Sequence, residues 1–297
     1  MKRSKLMKAA SLALALTLCV GVFTACGSSS SKTETKLSGE VTASGSSALQ
    51  PLAQQAAEDF MKANPDVTVS VNGGGSGTGL KQVADGSVDI GNSDVAAEEK
   101  LDKDQAAKLT DNKVAVMVVA PVVNKDLGVD NLTTQQLTDI FTGKITNWKQ
   151  VNGPDLKIML VTRPASSGTR ATFKKYAIGG AEESSKSALE NDDSGTLMET
   201  VQKNKGAIAY VALSYLVNAD KAVAVKIDGV EPSLDNAYSG KYKVWSYEHM
   251  YVQKDKDNAA RDAFIKYVAG DDNAANIEKL GYGVISKMTK EAEATHK

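Results

Sequence analysis

Three short segments rich in glycine, serine and threonine each lie just before a predicted helix, at residues 44–48, 75–79 and 166–169. The first turn of a helix leaves backbone N–H groups unpaired and carries a partial positive charge. Glycine lets the backbone approach a ligand, and serine and threonine add hydroxyl donors. Three such helix starts that converge on one point could enclose an anion. Serine and threonine are also ordinary helix N-caps, which is the alternative for each segment.

Two charged residues extend this pattern. Arg163 ends a predicted strand, and its planar guanidinium can contact two oxygens of a tetrahedral oxyanion at once, although a surface salt bridge is the alternative. Asp94 directly follows another predicted strand. Because an ionised carboxylate only accepts hydrogen bonds, it favours an anion that keeps a proton, such as phosphate, over fully ionised sulfate. The alternative for Asp94 is an N-cap of a helix predicted at about residues 98–108.

The elements that must position these residues alternate between strands and helices. A stripe of apolar residues with a 3.6-residue period predicts a helix over residues 49–61. The nearly continuous apolar run at 114–123 predicts a buried strand. The strand predicted at 88–91 leads to Asp94, and the strand predicted at 157–161 leads to Arg163 and the third polar segment. This repeated strand–loop–helix order predicts an α/β fold.

The N-terminus has the pattern of an export signal. Basic residues at 2–8 precede an apolar stretch at 9–23, so residues 1–25 are predicted to be a secretory signal peptide. Cys26 follows small residues in a pattern that resembles the bacterial lipobox, which predicts lipid attachment at Cys26; an ordinary signal peptide with a chance cysteine is the alternative. Residues 26–37 are predicted to be a flexible tether.

Composition excludes several classes of function. Removal of residues 1–25 takes away four basic side chains and leaves 31 basic against 36 acidic residues, a net charge of −5, which argues against nucleic-acid binding. The two histidines, His249 and His296, form no metal-binding motif, and Leu80 stands where a nucleotide-binding P-loop requires lysine. The sequence therefore predicts a protein that is not an enzyme and holds neither a metal nor a cofactor.

Four blocks of the sequence, at 45–52, 73–79, 89–94 and 163–169, closely resemble in order and spacing the phosphate-binding proteins of bacterial phosphate ABC transporters. The resemblance runs from about Val41 to the end of the chain. It implies the type 2 periplasmic-binding-protein fold, the Venus-flytrap arrangement of two α/β domains joined by a two-strand hinge. It also implies that phosphate is held without water between those domains.

The resemblance implies a set of phosphate ligands. They are Ser47, Ala48, Ser76, Asp94, Arg163, Ser167, Gly168 and Thr169. Some relatives carry an acidic residue two positions after the arginine, where it pairs with the guanidinium. Here that position is Ala165, so Arg163 either lacks this partner or finds one elsewhere.

The positions of these motifs predict a domain division, because a crevice between domains requires ligands from both. The first domain is predicted to comprise residues 38–119 and 222–297, and the second residues 120–221. The expected partners are inorganic phosphate, the permease subunits of an ABC importer and, through the lipid anchor, the outer face of the cell membrane. The chain is expected to be a monomer. The alternatives are a receptor for another oxyanion such as sulfate or molybdate, and a secreted hydrolase.

Overall fold

The computed structural model describes residues 36–186, 189–270 and 273–296. The predicted signal peptide, the lipid-attachment residue Cys26 and almost all of the predicted tether lie outside these ranges. Among the residues that are described, no helix combines the length and apolar character needed to cross a membrane.

Strands and helices alternate along the described chain. The strands are β1 (Gly39–Gly45), β2 (Val67–Asn72), β3 (Ile90–Ser93), β4 (Leu109–Asn124), β5 (Asn131–Leu132), β6 (Met159–Thr162), β7 (Leu189–Glu190), β8 (Ala207–Ala212), β9 (Ala222–Ala224), β10 (Lys226–Ile227) and β11 (Trp245–Gln253). The helices are α1 (Gln50–Ala63), α2 (Ser76–Asp85), α3 (Lys103–Ala106), α4 (Thr134–Phe141), α5 (Gly168–Tyr176), α6 (Ser194–Lys203), α7 (Leu234–Tyr238), α8 (Ala259–Ala269), α9 (Ala274–Lys279) and α10 (Lys290–Ala294).

One mixed sheet organises the chain, in the order β2-β1-β3-β11-β4-β8-β6-β7, with β9 also paired to β4. Strand β1 is parallel to β2 and β3, whereas β11 is antiparallel to both β3 and β4. Strand β4 is long enough to serve two parts of the sheet. Its residues 109–118 pair with β11 and its residues 119–123 pair with β8. The predicted α/β class is confirmed.

The apolar patterns read from the sequence account for the main elements. The predicted buried strand at 114–123 forms the apolar part of β4 and is almost completely buried. Helix α1 buries the predicted stripe and carries Pro51 in its first turn, a position suited to proline. Phe60 of this stripe packs against Phe264 of α8, with ring centroids 5.6 Å apart.

The long helix predicted at residues 98–108 is wrong. The chain there forms a single 3-10 turn at Ala97–Glu99, followed by the short helix α3. Asp102 caps α3 by accepting a hydrogen bond from the Gln105 backbone N–H at 2.8 Å. Because Ala96 is extended, Asp94 lies outside both helical turns and is not a helix cap.

The described residues from 36 onward form one compact unit by their contacts, and the division into two domains stays a prediction. Strand β9 pairs with residues 122–124 of β4, and β10 pairs with β5. In a division of the predicted kind, residues 222–227 would therefore lie with the 120–221 segment. We expect the return to the first domain near residue 244, because the Tyr242 hydroxyl donates to the Val119 carbonyl at 2.8 Å.

Candidate functional site

The predicted ligands follow the ends of strands in two parts of the sheet. Ser47 follows β1 and Asp94 follows β3, and because these neighbouring strands are parallel, their carboxyl ends lie at one edge. Arg163 follows β6, and Gly168 begins α5. All eight residues are buried; the seven that have side chains are 3% exposed or less.

Direct hydrogen bonds join the two groups of ligands. The Thr169 hydroxyl donates to Asp94 Oδ2 at 2.7 Å, and the Asp94 backbone N–H donates to Ser76 Oγ at 3.0 Å. A Cβ atom at Gly168 would lie 2.3 Å from Ser76 Oγ and 2.9 Å from the Asp94 Cβ, so only glycine fits there. The structure thus brings Ser76, Asp94, Gly168 and Thr169 into one buried cluster.

Arg163 is held by residues at the start of α6 and by a carbonyl of β8. Its Nη1 donates to the Asp192 carbonyl at 2.9 Å, and its Nη2 donates to Ser194 Oγ at 2.8 Å and to the Tyr210 carbonyl at 3.3 Å. The Asp192 carboxylate lies 3.7 Å from Nη1. The acidic partner that Ala165 cannot supply is therefore Asp192, which comes from a different loop.

Ser47 contacts the same segment from the opposite side. Its hydroxyl donates to the Asp192 carbonyl at 2.7 Å, and its Oγ lies 3.0 Å from Ser194 Oγ. The Ser47 carbonyl accepts a hydrogen bond from the Tyr215 hydroxyl at 2.7 Å. Asp192 and Ser194 therefore connect Ser47 to Arg163.

Asp192, Ser194 and Tyr215 were not identified from the sequence. A signal for Ser194 was present, because residues 194–196 read Ser-Gly-Thr at the start of α6, as residues 167–169 do at the start of α5. Asp192 shows no comparable pattern. The pKa of its carboxyl is raised by burial, an effect that a hydrogen bond from Ser167 and the charge of Arg163 oppose.

Some of the serines in the polar segments act as caps, which was the alternative to ligand binding. Ser46 accepts hydrogen bonds from the N–H groups of Ala48 at 3.0 Å and Leu49 at 3.1 Å, so Ser46, not Ser47, caps the turn that leads into α1. Ser167 caps α5 by accepting from the Arg170 N–H at 3.3 Å. The Ser47 hydroxyl instead accepts from the Ser194 N–H at 3.3 Å and the Ser76 hydroxyl from the Asp94 N–H at 3.0 Å, both in distant segments of the chain. Their contacts point across the site, which favours a binding role.

Several polar atoms of the cluster are buried without a hydrogen-bond partner in the described part of the chain. They are Arg163 Nε, Asp94 Oδ1 and Asp192 Oδ2. Buried polar atoms are almost always paired, so such a group requires an explanation. An anion that also carries a proton would pair both kinds of atom, since its oxygens accept from Arg163 and its O–H donates to a carboxylate.

Lys100 adds a contact at the rim of the cluster. Its Nζ donates to the carbonyls of Ala165 at 2.7 Å and Ser167 at 3.2 Å, and burial lowers the pKa of its ammonium group. This side chain ties the segment after β3 to the loop that carries Arg163. Across the described ranges, no group of three or more His, Cys, Asp or Glu side chains could hold a metal ion.

The chain is similar to known proteins over most of its length. A family model described as a PBP superfamily domain matches residues 30–272. The phosphate-binding protein PstS of Bacillus subtilis is 44% identical over 100% of this chain and 99% of its own length. PstS of Staphylococcus saprophyticus is 33% identical over 89% of this chain and 86% of its own.

Two solved protein structures are also similar to this chain. A Clostridium perfringens protein assigned to phosphate ABC transport, solved with bound phosphate, has a TM-score of 0.74 and 30% identity over 82% of this chain and 98% of its own. An ABC-type phosphate transport receptor from Vibrio cholerae has a TM-score of 0.64 and 28% identity over 82% of this chain and 99% of its own. Both matches extend over nearly the whole of the solved proteins.

Proposed function

Because the chain belongs to the PstS family of phosphate-binding proteins, within the periplasmic-binding-protein superfamily, we propose that it captures inorganic phosphate outside the cytoplasm and delivers it to an ABC importer. The predicted type 2 fold of this superfamily is confirmed by the family match and the solved relatives. The family consists of substrate-binding proteins of transport systems, and we propose that this member likewise has no enzymatic activity.

The observation that carries the proposal is the buried carboxylate of Asp94. It is 1% exposed, accepts the Thr169 hydroxyl on Oδ2 and leaves Oδ1 unpaired among the described residues. A buried acceptor of this kind repels an anion that has no proton and pairs with one that does. Phosphate carries a proton at neutral pH, whereas sulfate and molybdate do not. Arg163 supplies the complementary donors for the phosphate oxygens.

The proposed ligand set is the one that the sequence predicts. Arg163 donates its free N–H groups, Asp94 accepts the proton of phosphate, and Ser47, Ser76 and Thr169 offer hydroxyls. Ser167, Gly168 and Ala48 complete the set through groups at helix starts. The Ala48 N–H is bonded to Ser46 Oγ, so its contribution requires that this bond be shared with the ligand.

The mature protein is proposed to be a monomeric lipoprotein attached through Cys26 to the outer face of the cell membrane. Removal of the signal peptide would leave Cys26 as the first residue. The experiment is replacement of Cys26 by serine, which should release the protein into the medium, while the unchanged chain stays with the membrane. Equal retention of both forms would contradict lipid attachment.

Isothermal titration of phosphate-stripped protein tests the binding function. We expect a phosphate Kd below about 1 μM, which corresponds to about −8 kcal/mol, and no comparable heat with sulfate or molybdate. Thermal melts give an independent check, because a ligand that binds only the native state raises Tm. Tighter binding of sulfate or molybdate than of phosphate would favour the other oxyanion receptor. Turnover of a phosphate ester would favour the hydrolase.

A further inference from the structure

Glu248 is a completely buried acid in the middle of β11, at 0% exposure. Strand β11 runs antiparallel to β3 so that His249 pairs with Ser93 and Met250 pairs with Asn92. One further step in this register brings Glu248 opposite Asp94. Opposite residues of an antiparallel pair have their side chains on the same face, with Cβ atoms about 4.5–5.5 Å apart. The fold therefore places two carboxyl groups side by side.

A β-bulge lies at this point. The pairing of β11 with β4 shifts register between Glu248 and His249, and bulges of this kind redirect a side chain. The Glu248 carboxyl comes within hydrogen-bonding reach of the Asp94 carboxyl. Within the described ranges, both oxygens of Glu248 and Asp94 Oδ1 are buried and have no hydrogen-bond partner.

Two carboxylates in contact in a buried place cannot both be ionised without a large repulsion. Burial is the main cause that raises the pKa of Glu248 well above its ordinary value, and the charge of the neighbouring Asp94 raises it further. Among the described residues, Tyr282, in the segment between α9 and α10, is near enough to Glu248 to be affected by its charge. Burial raises the pKa of Tyr282 well above its ordinary value, so its hydroxyl stays neutral. The Thr169 hydroxyl donates to Asp94, whereas no donor among the described residues reaches Glu248, so this geometry favours the proton of the pair on Glu248.

We propose that Glu248 is a positioning residue for phosphate selection, a protonated carboxylic acid that donates its hydrogen bond to Asp94 and keeps Asp94 ionised. This inference rests on the proposed role of Asp94 as the acceptor for the proton of phosphate. Glu248 does not touch the ligand in this arrangement and acts through Asp94 alone.

The location of this proton decides which anion the site accepts. An ionised carboxylate offers about four acceptor positions. On Asp94, Thr169 occupies one and Glu248 a second, which leaves positions for the O–H of phosphate. If the proton were on Asp94 instead, Asp94 could donate, and a fully ionised oxyanion such as sulfate would be accepted. Glu248 thus maintains the discrimination that Asp94 carries out.

The decisive variants are Glu248→Gln and Glu248→Ala. Glutamine is neutral, has nearly the same shape and keeps a donor for Asp94, so titration should give a phosphate Kd within about two-fold of the unchanged protein, with the preference over sulfate retained. Alanine removes the donor, and we expect the preference for phosphate over sulfate to fall by roughly ten-fold or more, the loss expected for one hydrogen bond to a charged group.

Infrared spectroscopy reads the proton directly and needs neither ligand nor the alanine variant. At pH 7 the unchanged protein should show a carbonyl band of a buried carboxylic acid that Glu248→Gln removes. The control is Glu183→Gln, which changes another buried glutamate, bonded to the Tyr210 hydroxyl at 2.8 Å. This variant should keep the band assigned to Glu248 and the phosphate preference.

Three results would overturn the proposal. They are a glutamine variant as impaired as the alanine variant, an alanine variant that binds like the unchanged protein, and no carboxylic-acid band that depends on Glu248. Failure of the unchanged protein to bind phosphate would instead contradict the proposed function. The infrared band would still report whether Glu248 holds the proton in that case.

Discussion

Replacement of Arg163 by lysine keeps the positive charge but removes the planar arrangement of donors. A guanidinium has five N–H groups. Three of them are used by the Asp192 carbonyl, the Ser194 hydroxyl and the Tyr210 carbonyl. Two therefore remain for the ligand, one on the unpaired Nε and one on Nη1. A lysine ammonium has three donors on one atom and cannot serve both sides.

The size of the effect follows from the fixed position of the side chain. A hydrogen bond to a charged group contributes about 1.5–3 kcal/mol, and each 1.4 kcal/mol changes affinity by about ten-fold. Because Asp192, Ser194 and Tyr210 already order the guanidinium, little ordering cost is subtracted on binding. We therefore expect Arg163→Lys to weaken phosphate binding by roughly 100-fold, near the upper end of the range for one lost bond.

Titration and stopped-flow kinetics together check this prediction. Most of the change should appear in the dissociation rate, as is usual for variants of one binding site. The matched control is Arg261→Lys, which alters another buried arginine, 4% exposed, in α8. This control should bind phosphate normally. A loss below two-fold for Arg163→Lys would mean that the helix starts hold the anion without the guanidinium.

Three further changes test other parts of the site. Asp94→Asn should weaken phosphate only a few-fold but reduce its preference over sulfate in titrations, because an amide can also donate; an unchanged preference would refute its role. Gly168→Ala should abolish phosphate binding, since a Cβ there would lie 2.3 Å from Ser76 Oγ, whereas Gly195→Ala, with its nearest atom at 3.3 Å, should bind normally in the same titration. Glu248→Gln should flatten the decline of Tm with rising pH. The raised pKa means that the native state holds a proton that the unfolded chain loses above about 4.5, so stability of the unchanged protein falls as pH rises; parallel Tm curves for both proteins would contradict this.

The fold class and the location of the site could be predicted because both depend on local patterns. The apolar run in β4 and the stripe of α1 identify buried elements by their period. The Gly-Ser-Thr segments mark helix starts. Each of these signals is contained within a few consecutive residues, so no knowledge of the sheet order was needed.

The remaining residues of the site depend on contacts between distant parts of the chain. Asp192 reaches Arg163 from a loop 29 residues away, and nothing in its local sequence indicates that pairing. Glu248 lies in β11, and only the register of β11 against β3 brings it opposite Asp94. Similarly, Ser46 and Ser47 are equivalent in sequence, and the backbone direction alone decides which of them caps the turn before α1 and which points across the site.

The charges around the site show why hydrogen bonds must provide its selectivity. Arg163 brings one positive charge, but Asp94 and the nearby Asp192 carboxyl oppose it, and the predicted mature chain carries a net charge of −5. Such a site gains little from general attraction of anions. Binding energy must instead come from directed donors and from one acceptor that requires a proton on the ligand. A buried carboxylate that would weaken a purely electrostatic site thus becomes, in this one, the group that distinguishes phosphate from other oxyanions of similar shape.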